Sequence, residues 1–315
     1  MTTLQPAGVH HVSALSARIR ASREFYVRIL GLRPLITTVN QDSPDMYHLF
    51  FGDGAGSPGS DMTVFDLPRA ARERRGNGSI SRTTFRVGGS DALAYWEDRL
   101  GSLGIERRRM DGADGRAALE FEDGEGTRLA LVDDGGGGAA CPWQASPVPP
   151  EHQVRGLGPV TITVQSLGPT ERFLSDALGL ARETVPGSPE VHLFRMGGGG
   201  ADAEVHVDVR PDLAPARYGA GAVHHVALRV PEGQSMDAWA ARLDRLGYRH
   251  SGIVDRHYFR SIYVREPNGV LFELATDGPG FEVDGPIDPG RLSLPPFLEP
   301  RRAEIEARLI PLDAA

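Results

Sequence analysis

The sequence predicts an α+β fold: four βαβββ modules that pair into two curved, barrel-like sheets with helices outside. Three observations lead there. A strand motif with two adjacent histidines occurs twice, as Gly8-Val9-His10-His11-Val12-Ser13-Ala14-Leu15 and as Gly221-Ala222-Val223-His224-His225-Val226-Ala227-Leu228. Helical stretches end on a repeated glycine-leucine pair, Gly31-Leu32 and Gly179-Leu180. Short apolar runs, broken by Gly, Pro and Asp, follow each helix as strands follow turns.

The first module starts at Gly8. Its strand covers Val9 to Leu15, and its helix is expected to be capped by Ser22 and stopped by Gly31. Leu32 to Val39, Met46 to Phe51 and Asp61 to Phe65 read as strands. The second module starts at Ser79, with a strand over Ile80 to Val87 and a helix over Asp91 to Leu100. Strands at Ile105 to Arg109, Ala117 to Glu122 and Thr127 to Val132 complete it. The third starts at Gly156, with a helix over Pro169 to Leu178 and strands at Glu190 to Met196 and Ala203 to Val209. The fourth starts at Gly221, with a helix over Met236 to Leu246 and strands at Arg249 to Asp255, Arg260 to Glu266 and Val270 to Ala275. Modules of this size cannot bury a sheet face alone, so they should pair. The expected division is an N-terminal domain over 1–140, a linker over 141–155 in and beyond the Gly- and Pro-rich stretch Gly135 to Pro150, a C-terminal domain over 156–280 and a tail over 281–315. The tail contains Leu294-Pro295-Pro296 and a short helix with Ile305 and Leu309 at helical spacing, and it should pack across a module or a partner subunit.

Composition narrows the class. The chain has 315 residues, 40% hydrophobic and 24% charged, as in ordinary globular proteins. A net charge of −8 argues against nucleic acid or an anionic membrane as partner. No apolar run reaches the length of a membrane-spanning helix, and Met1 to Pro6 carries no secretory pattern. A single cysteine, Cys141, allows no intrachain disulfide, so a reducing, cytoplasmic setting is expected. The glycine runs at Gly135 to Gly138 and Gly197 to Gly200 read as loop tips rather than phosphate cradles.

Strand alternation selects the chemistry. In the fourth module His224 shares a face with Val226, Leu228 and Val230, so the adjacent His225 faces the other way, into the cup. By the same rule His11 goes with Ser13 toward the cup, and His10 with Val12 and Ala14. His10 and His224 would lie beside the site only if the strand bends or the site sits at its end. A third ligand is available in Gly269-Val270-Leu271-Phe272-Glu273-Leu274-Ala275, where Glu273 is the sole charge in an apolar strand. A buried carboxylate without a partner is costly, and a metal removes that cost. Two imidazoles and one carboxylate suit Fe(II) with oxygen chemistry; Mn(II) and, less well, Zn(II) are also accommodated. Aligning the modules puts Arg82 and Pro159 at the ligand-histidine position of modules two and three. It puts Thr63 and Ala130 at the Glu273 position of modules one and two, so only modules one and four offer ligands. The histidines at 48, 152, 192, 206, 250 and 257 read as structural or exposed.

The modules, the Phe25-Tyr26…Leu30-Gly31-Leu32 helix ending, the paired-histidine strands and the Glu273 strand together resemble the vicinal oxygen chelate superfamily. Asp255-Arg256-His257-Tyr258-Phe259-Arg260-Ser261-Ile262-Tyr263-Val264-Arg265-Glu266-Pro267, the Phe272-to-Phe281 stretch, and the tail around Leu294-Pro295-Pro296 and Ile305-Glu306 are similar to the hydroquinone-type ring-cleaving dioxygenases. The resemblance implies Fe(II) held by His11, His225 and Glu273, surrounded by His10, Ser13, His224, Arg256 and Tyr263. Ser13 departs from the threonine common there, keeping the hydroxyl and losing a methyl. It also implies a small aromatic substrate and O2 as reactants, a homo-oligomer, and ring opening beside a deprotonated hydroxyl. Rival readings are a catechol dioxygenase, a glyoxalase-like metalloenzyme using Zn or Ni, and a binder of aromatic drugs without turnover.

Overall fold

The computed structural model describes residues 4–112, 114–184 and 191–312. Among the described residues sixteen strands join into one hydrogen-bonded sheet, with few helices. The first unit has β1 (Val9–Ser16), α1 (Ile19–Glu24), β2 (Arg33–Asn40), β3 (Ser43–Gly52) and β4 (Asp61–Asp66). The second has β5 (Ser79–Val87), α2 (Ser90–Ser102), β6 (Arg107–Asp111), β7 (Ala117–Glu122) and β8 (Arg128–Asp133). The third has β9 (Leu157–Val164), α3 (Leu167–Arg172), β10 (Ala181–Glu183), β11 (Val191–Arg195) and β12 (Glu204–Val209). The fourth has β13 (Val223–Val230), α4 (Met236–Arg245), β14 (Val254–Asp255), β15 (Phe259–Arg265) and β16 (Leu271–Pro279). The tail carries α5 (Arg302–Arg308). Glu190, the expected start of a strand, lies outside the described residues, as do Met1 to Thr3.

Pairing runs between distant parts of the chain. β1 lies antiparallel to β13, and β5 antiparallel to β9. Each of these central strands also pairs in parallel with the last strand of its own unit: β1 with β4, β5 with β8, β9 with β12 and β13 with β16. Where two separate sheets were expected, the strands form one, because Val223 of β13 bridges Ile80 of β5. Local periodicity cannot reveal such an edge contact.

Ser22 does not cap α1. The helix begins three residues earlier, and Ser22 is buried inside it, donating its hydroxyl to Ser16 Oγ at 2.8 Å. A serine satisfied by tertiary contacts is tolerated within a helix, and the capping preference gives way. Both α1 and α3 run on into π-helical stretches, Phe25–Ile29 and Phe173–Ala177, that stop at Gly31 and Gly179 with φ of +71° and +79°. The strand expected over Arg249 to Asp255 shortens to β14, since Gly252, at φ +74°, breaks it. The tail packs on the first unit. Leu292 bridges Thr37 of β2, and Leu294, Leu298, Ile305 and Leu309 are buried in the main core. Among the described residues no helix is long and apolar enough to cross a membrane.

Gly221 sets where the second histidine strand starts. Its φ is +89°, its N–H donates to Leu15 O at 2.8 Å, and an added Cβ would stand 2.4 Å from the backbone oxygen of Glu125. Left-handed backbone and a backbone clash cannot both be relieved cheaply, so Gly221→Ala is expected to cost about 2–3 kcal/mol. Urea unfolding checks this; an unchanged midpoint would mean that the turn relaxes around the new methyl.

Candidate metal centre

β1, β13 and β16 bring His11, His225 and Glu273 together. Val226 pairs with Val12, and Ala227 with both His11 and Glu273, so three neighbouring strands point ligands at one place. His11 Nε2 and His225 Nε2 lie 3.1 Å apart, and Glu273 Oε2 lies 3.2 Å from the first and 2.9 Å from the second. All three side chains are buried, Glu273 with no exposure at all. Ser261 donates its hydroxyl to Glu273 Oε1 at 2.5 Å, while Oε2 has no hydrogen-bond partner. An orphaned buried carboxylate oxygen facing two imidazole nitrogens is what a cation would satisfy.

The neighbouring histidines hold His11 and His225 in place. His10 Nδ1 is 2.9 Å from His11 Nδ1, and His224 Nδ1 is 2.8 Å from His225 Nδ1. A register shift between Val9 and His11 bends β1, which brings His10 beside the triad although alternation alone would turn it away. Were Nδ1–H donated to that neighbour, His11 and His225 would each keep an Nε2 lone pair for a metal. Burial, then the adjacent His11, pushes His10 down to about 3; burial, then His225, pushes His224 down to about 4. Burial likewise lowers His225. Burial would raise the Glu273 carboxyl, but His11 and His225 outweigh it and hold it well below the usual range.

The cleft over the triad is about 90 Å³ and is bordered by His48, Phe65, His224, Arg256, Phe259 and Tyr263. Ser13 Oγ lies 3.0 Å from His225 Nε2 and 2.7 Å from Thr63 Oγ1. Arg256 Nε donates to Tyr263 Oη at 3.1 Å, and its Nη2 pairs with Asp42 Oδ2 at 2.9 Å. Burial raises the Tyr263 phenol, so it stays protonated. The eight residues singled out from the sequence thus lie at or around one place. Sequence reasoning missed Asp42 and Ser261, gave Thr63 the Glu273 position of the first module but no part in the site, and read His48 as structural or exposed, whereas it borders the cleft. A larger open groove of about 940 Å³ runs along α1 and β6–β8, and none of the triad lines it.

The second pair of units is an internal control. Their registers place Ala130 opposite Thr84 and His206 opposite Thr161, as Glu273 is opposite Ala227. Among the described residues Asp114, Glu204 and His206 form the other group that could hold a metal. There, however, Arg116 already supplies the cation: its Nη1 lies 2.6 Å from Asp114 and 2.8 Å from Glu204. Burial would raise Glu204, but Arg116 and His206 bring it down to about 2.

A family model described as the Glyoxalase/Bleomycin resistance protein/Dioxygenase superfamily matches residues 156–274. The chain is 45% identical to MhqA of Bacillus subtilis (strain 168), provisionally named as a ring-cleaving dioxygenase, over 97% of this chain and 98% of that protein. It is 29% identical to the chlorohydroquinone/hydroquinone 1,2-dioxygenase of Sphingobium indicum, over 85% of this chain and 84% of that one. A crystal structure of a provisionally named dioxygenase from Bacillus subtilis superposes with a TM-score of 0.90 at 32% identity, covering 98% of each chain. Glyoxalase I of Zea mays shares the fold, with a TM-score of 0.61 at 14% identity over 86% of this chain and 92% of that one.

Proposed function

This chain belongs to the Glyoxalase/Bleomycin resistance protein/Dioxygenase superfamily, and on that premise we propose that it is an Fe(II)-dependent extradiol-type dioxygenase that opens the ring of a hydroquinone or substituted hydroquinone with O2. The observation that carries the reading is Glu273 Oε2, buried and without a hydrogen-bond partner between two imidazole Nε2 atoms. His11, His225 and Glu273 would hold the iron; Mn(II) suits the same donors. Bound there, the ion would supply Lewis-acid chemistry for a phenolic substrate and O2.

The chain's own groups do the rest. Ser261 fixes the Glu273 carboxylate, and His10 and His224 fix the ring orientation of the two ligand histidines. His10 is sealed away, whereas His224 borders the cleft. With His225 Nε2 left free for a metal, His225 Nδ1–H would donate to His224 Nδ1, and neutral His224 would carry its proton on Nε2, a donor for a substrate oxygen. Arg256 and Tyr263 present positive charge and a phenol hydroxyl where negative charge develops on the ring oxygen. The cleft over the triad is small, about 90 Å³, which disfavours a fused or biaryl substrate.

Of the rivals, the glyoxalase-like reading calls for more carboxylate ligands than the one present in the triad. The drug-binder reading gives the orphaned carboxylate no purpose. Oxygen uptake by anaerobically iron-loaded protein tests the proposal. Hydroquinone should support uptake with loss of the aromatic absorbance, and catechol should be turned over more slowly. Uptake with catechol alone would move the assignment to catechol cleavage, and uptake with neither would remove the dioxygenase.

A further inference from the structure

One hydrogen-bonded file, part-buried at His48 and buried at Thr63 and Ser13, runs from β3 through β4 and β1 to His225 and has no part in the mechanism above. His48 Nε2 lies 2.8 Å from Thr63 Oγ1, Thr63 Oγ1 lies 2.7 Å from Ser13 Oγ, and Ser13 Oγ lies 3.0 Å from His225 Nε2. Register explains the placement. Thr63 on β4 pairs with Ser13, two residues beyond His11, as Glu273 on β16 pairs with Ala227, two residues beyond His225. The carboxylate therefore reaches the triad from β16, and the hydroxyl file reaches it from β4.

His48 is held in place by its neighbours. Its ring stacks on Phe65 at 4.0 Å between centroids with 24° between planes, and lies 4.2 Å from Phe50 on the same strand. Between two aromatic groups the imidazole has little freedom to turn, so its Nε2 stays on Thr63. Each hydroxyl in the file has one hydrogen to give. If His48 donates to Thr63, then Thr63 donates to Ser13, and the Ser13 hydrogen is left for an acceptor beside His225 Nε2, 3.0 Å from its oxygen. Once the His225 lone pair is engaged by a metal, that acceptor is an oxygen of the bound ring.

We propose that His48 is a positioning residue: acting through Thr63, it turns the Ser13 hydroxyl to donate to the substrate oxygen beside the triad. The identity of that oxygen rests on the dioxygenase reading. A donor aimed at an oxygen that gains negative charge stabilises it more than a freely rotating hydroxyl does, because its orientation is already set.

The test uses zinc-loaded protein, which does not turn over, and nitrohydroquinone, whose nitrophenolate band reports binding and ionisation together. His48→Phe keeps an aromatic ring between Phe50 and Phe65 but has no N–H. His48→Phe and Ser13→Ala should each weaken probe binding about tenfold, the scale of one hydrogen bond to a charged group. The double variant should be no weaker than either single one, because both remove the same interaction. His48→Gln, whose amide N–H can replace Nε2–H, should recover most of the loss, and all variants should hold zinc stoichiometrically. Probe binding by His48→Phe at the wild-type level, losses that add in the double variant, or a fall in zinc content would each overturn the proposal. Iron-loaded wild type that consumes no oxygen with hydroquinone, alongside a non-additive probe cycle, would remove the dioxygenase reading while leaving the file's role standing.

Discussion

Glu273→Gln is expected to abolish metal retention while leaving the fold intact. Glutamine has nearly the same shape, so the space stays filled and Ser261 keeps an oxygen to donate to. What is lost is the charge at Oε2, the only anionic donor facing His11 and His225 in the triad. Outer-shell changes around metals cost roughly 10–100-fold in affinity, and removal of a ligand's charge should exceed that. After anaerobic loading and desalting, wild type should carry one equivalent of Fe(II) or Mn(II), and the variant less than about a tenth of that. Thermal unfolding gives a second reading. A ligand present at a hundredfold its Kd stabilises the folded state by about 2.7 kcal/mol. Wild type should therefore melt several degrees higher with metal, and Glu273→Gln should show no shift. An unaltered near-ultraviolet circular dichroism spectrum of the variant would show that packing survives. Stoichiometric metal in Glu273→Gln, with a wild-type thermal shift, would remove Glu273 from the ligand set and the proposed chemistry with it.

The readable part of the site is the part written in strand periodicity. His11, His225 and Glu273 were marked by two-residue alternation and by a charge in an apolar run, and their Nε2 and Oε2 atoms lie within 3.2 Å of one another. Alternation did not predict the contact made by His10, because the bulge that bends β1 leaves no trace in the order of residues. His48 was unreadable for a related reason. Tyr47-His48-Leu49 looks like any strand, and only the pairing of β3 with β4 puts the imidazole within reach of Thr63. Asp42 lies 214 residues from Arg256 and meets it through the β2–β3 turn, which also carries Gln41 to the Arg256 carbonyl. His206 takes the register place of Glu273 in the third unit, yet its partner is an arginine-held carboxylate, a distinction that residue type alone does not express. The α+β class and the position of most elements follow from local patterns, whereas the merging of all sixteen strands depends on edges such as Val223 against Ile80.

Arg256 tests how the cleft handles charge rather than how it binds metal. Its guanidinium donates to Tyr263 Oη, stands 5.1 Å from the centre of that ring, and reaches Asp42 across the mouth of the cleft. Asp42 is 73% exposed, so their ion pair alone contributes little, about 0–1 kcal/mol. On the proposed function, its larger contribution is to a bound anion. Removing one preorganised donor from a developing oxyanion costs about 10²–10³ in kcat. Arg256→Met, which keeps the length of the side chain and loses its charge, should fall by that amount in kcat and kcat/KM alike, with metal content unchanged. Tyr263→Phe should lose about tenfold, the share of one hydrogen bond. Combining the two should cost less than the sum, because they are bonded to each other. Asp42→Asn should alter KM by a few-fold at most, since it touches only the outer end of the guanidinium. If Arg256→Met instead raised KM and left kcat alone, the guanidinium would hold substrate and transition state equally, and its part would be binding rather than charge stabilisation.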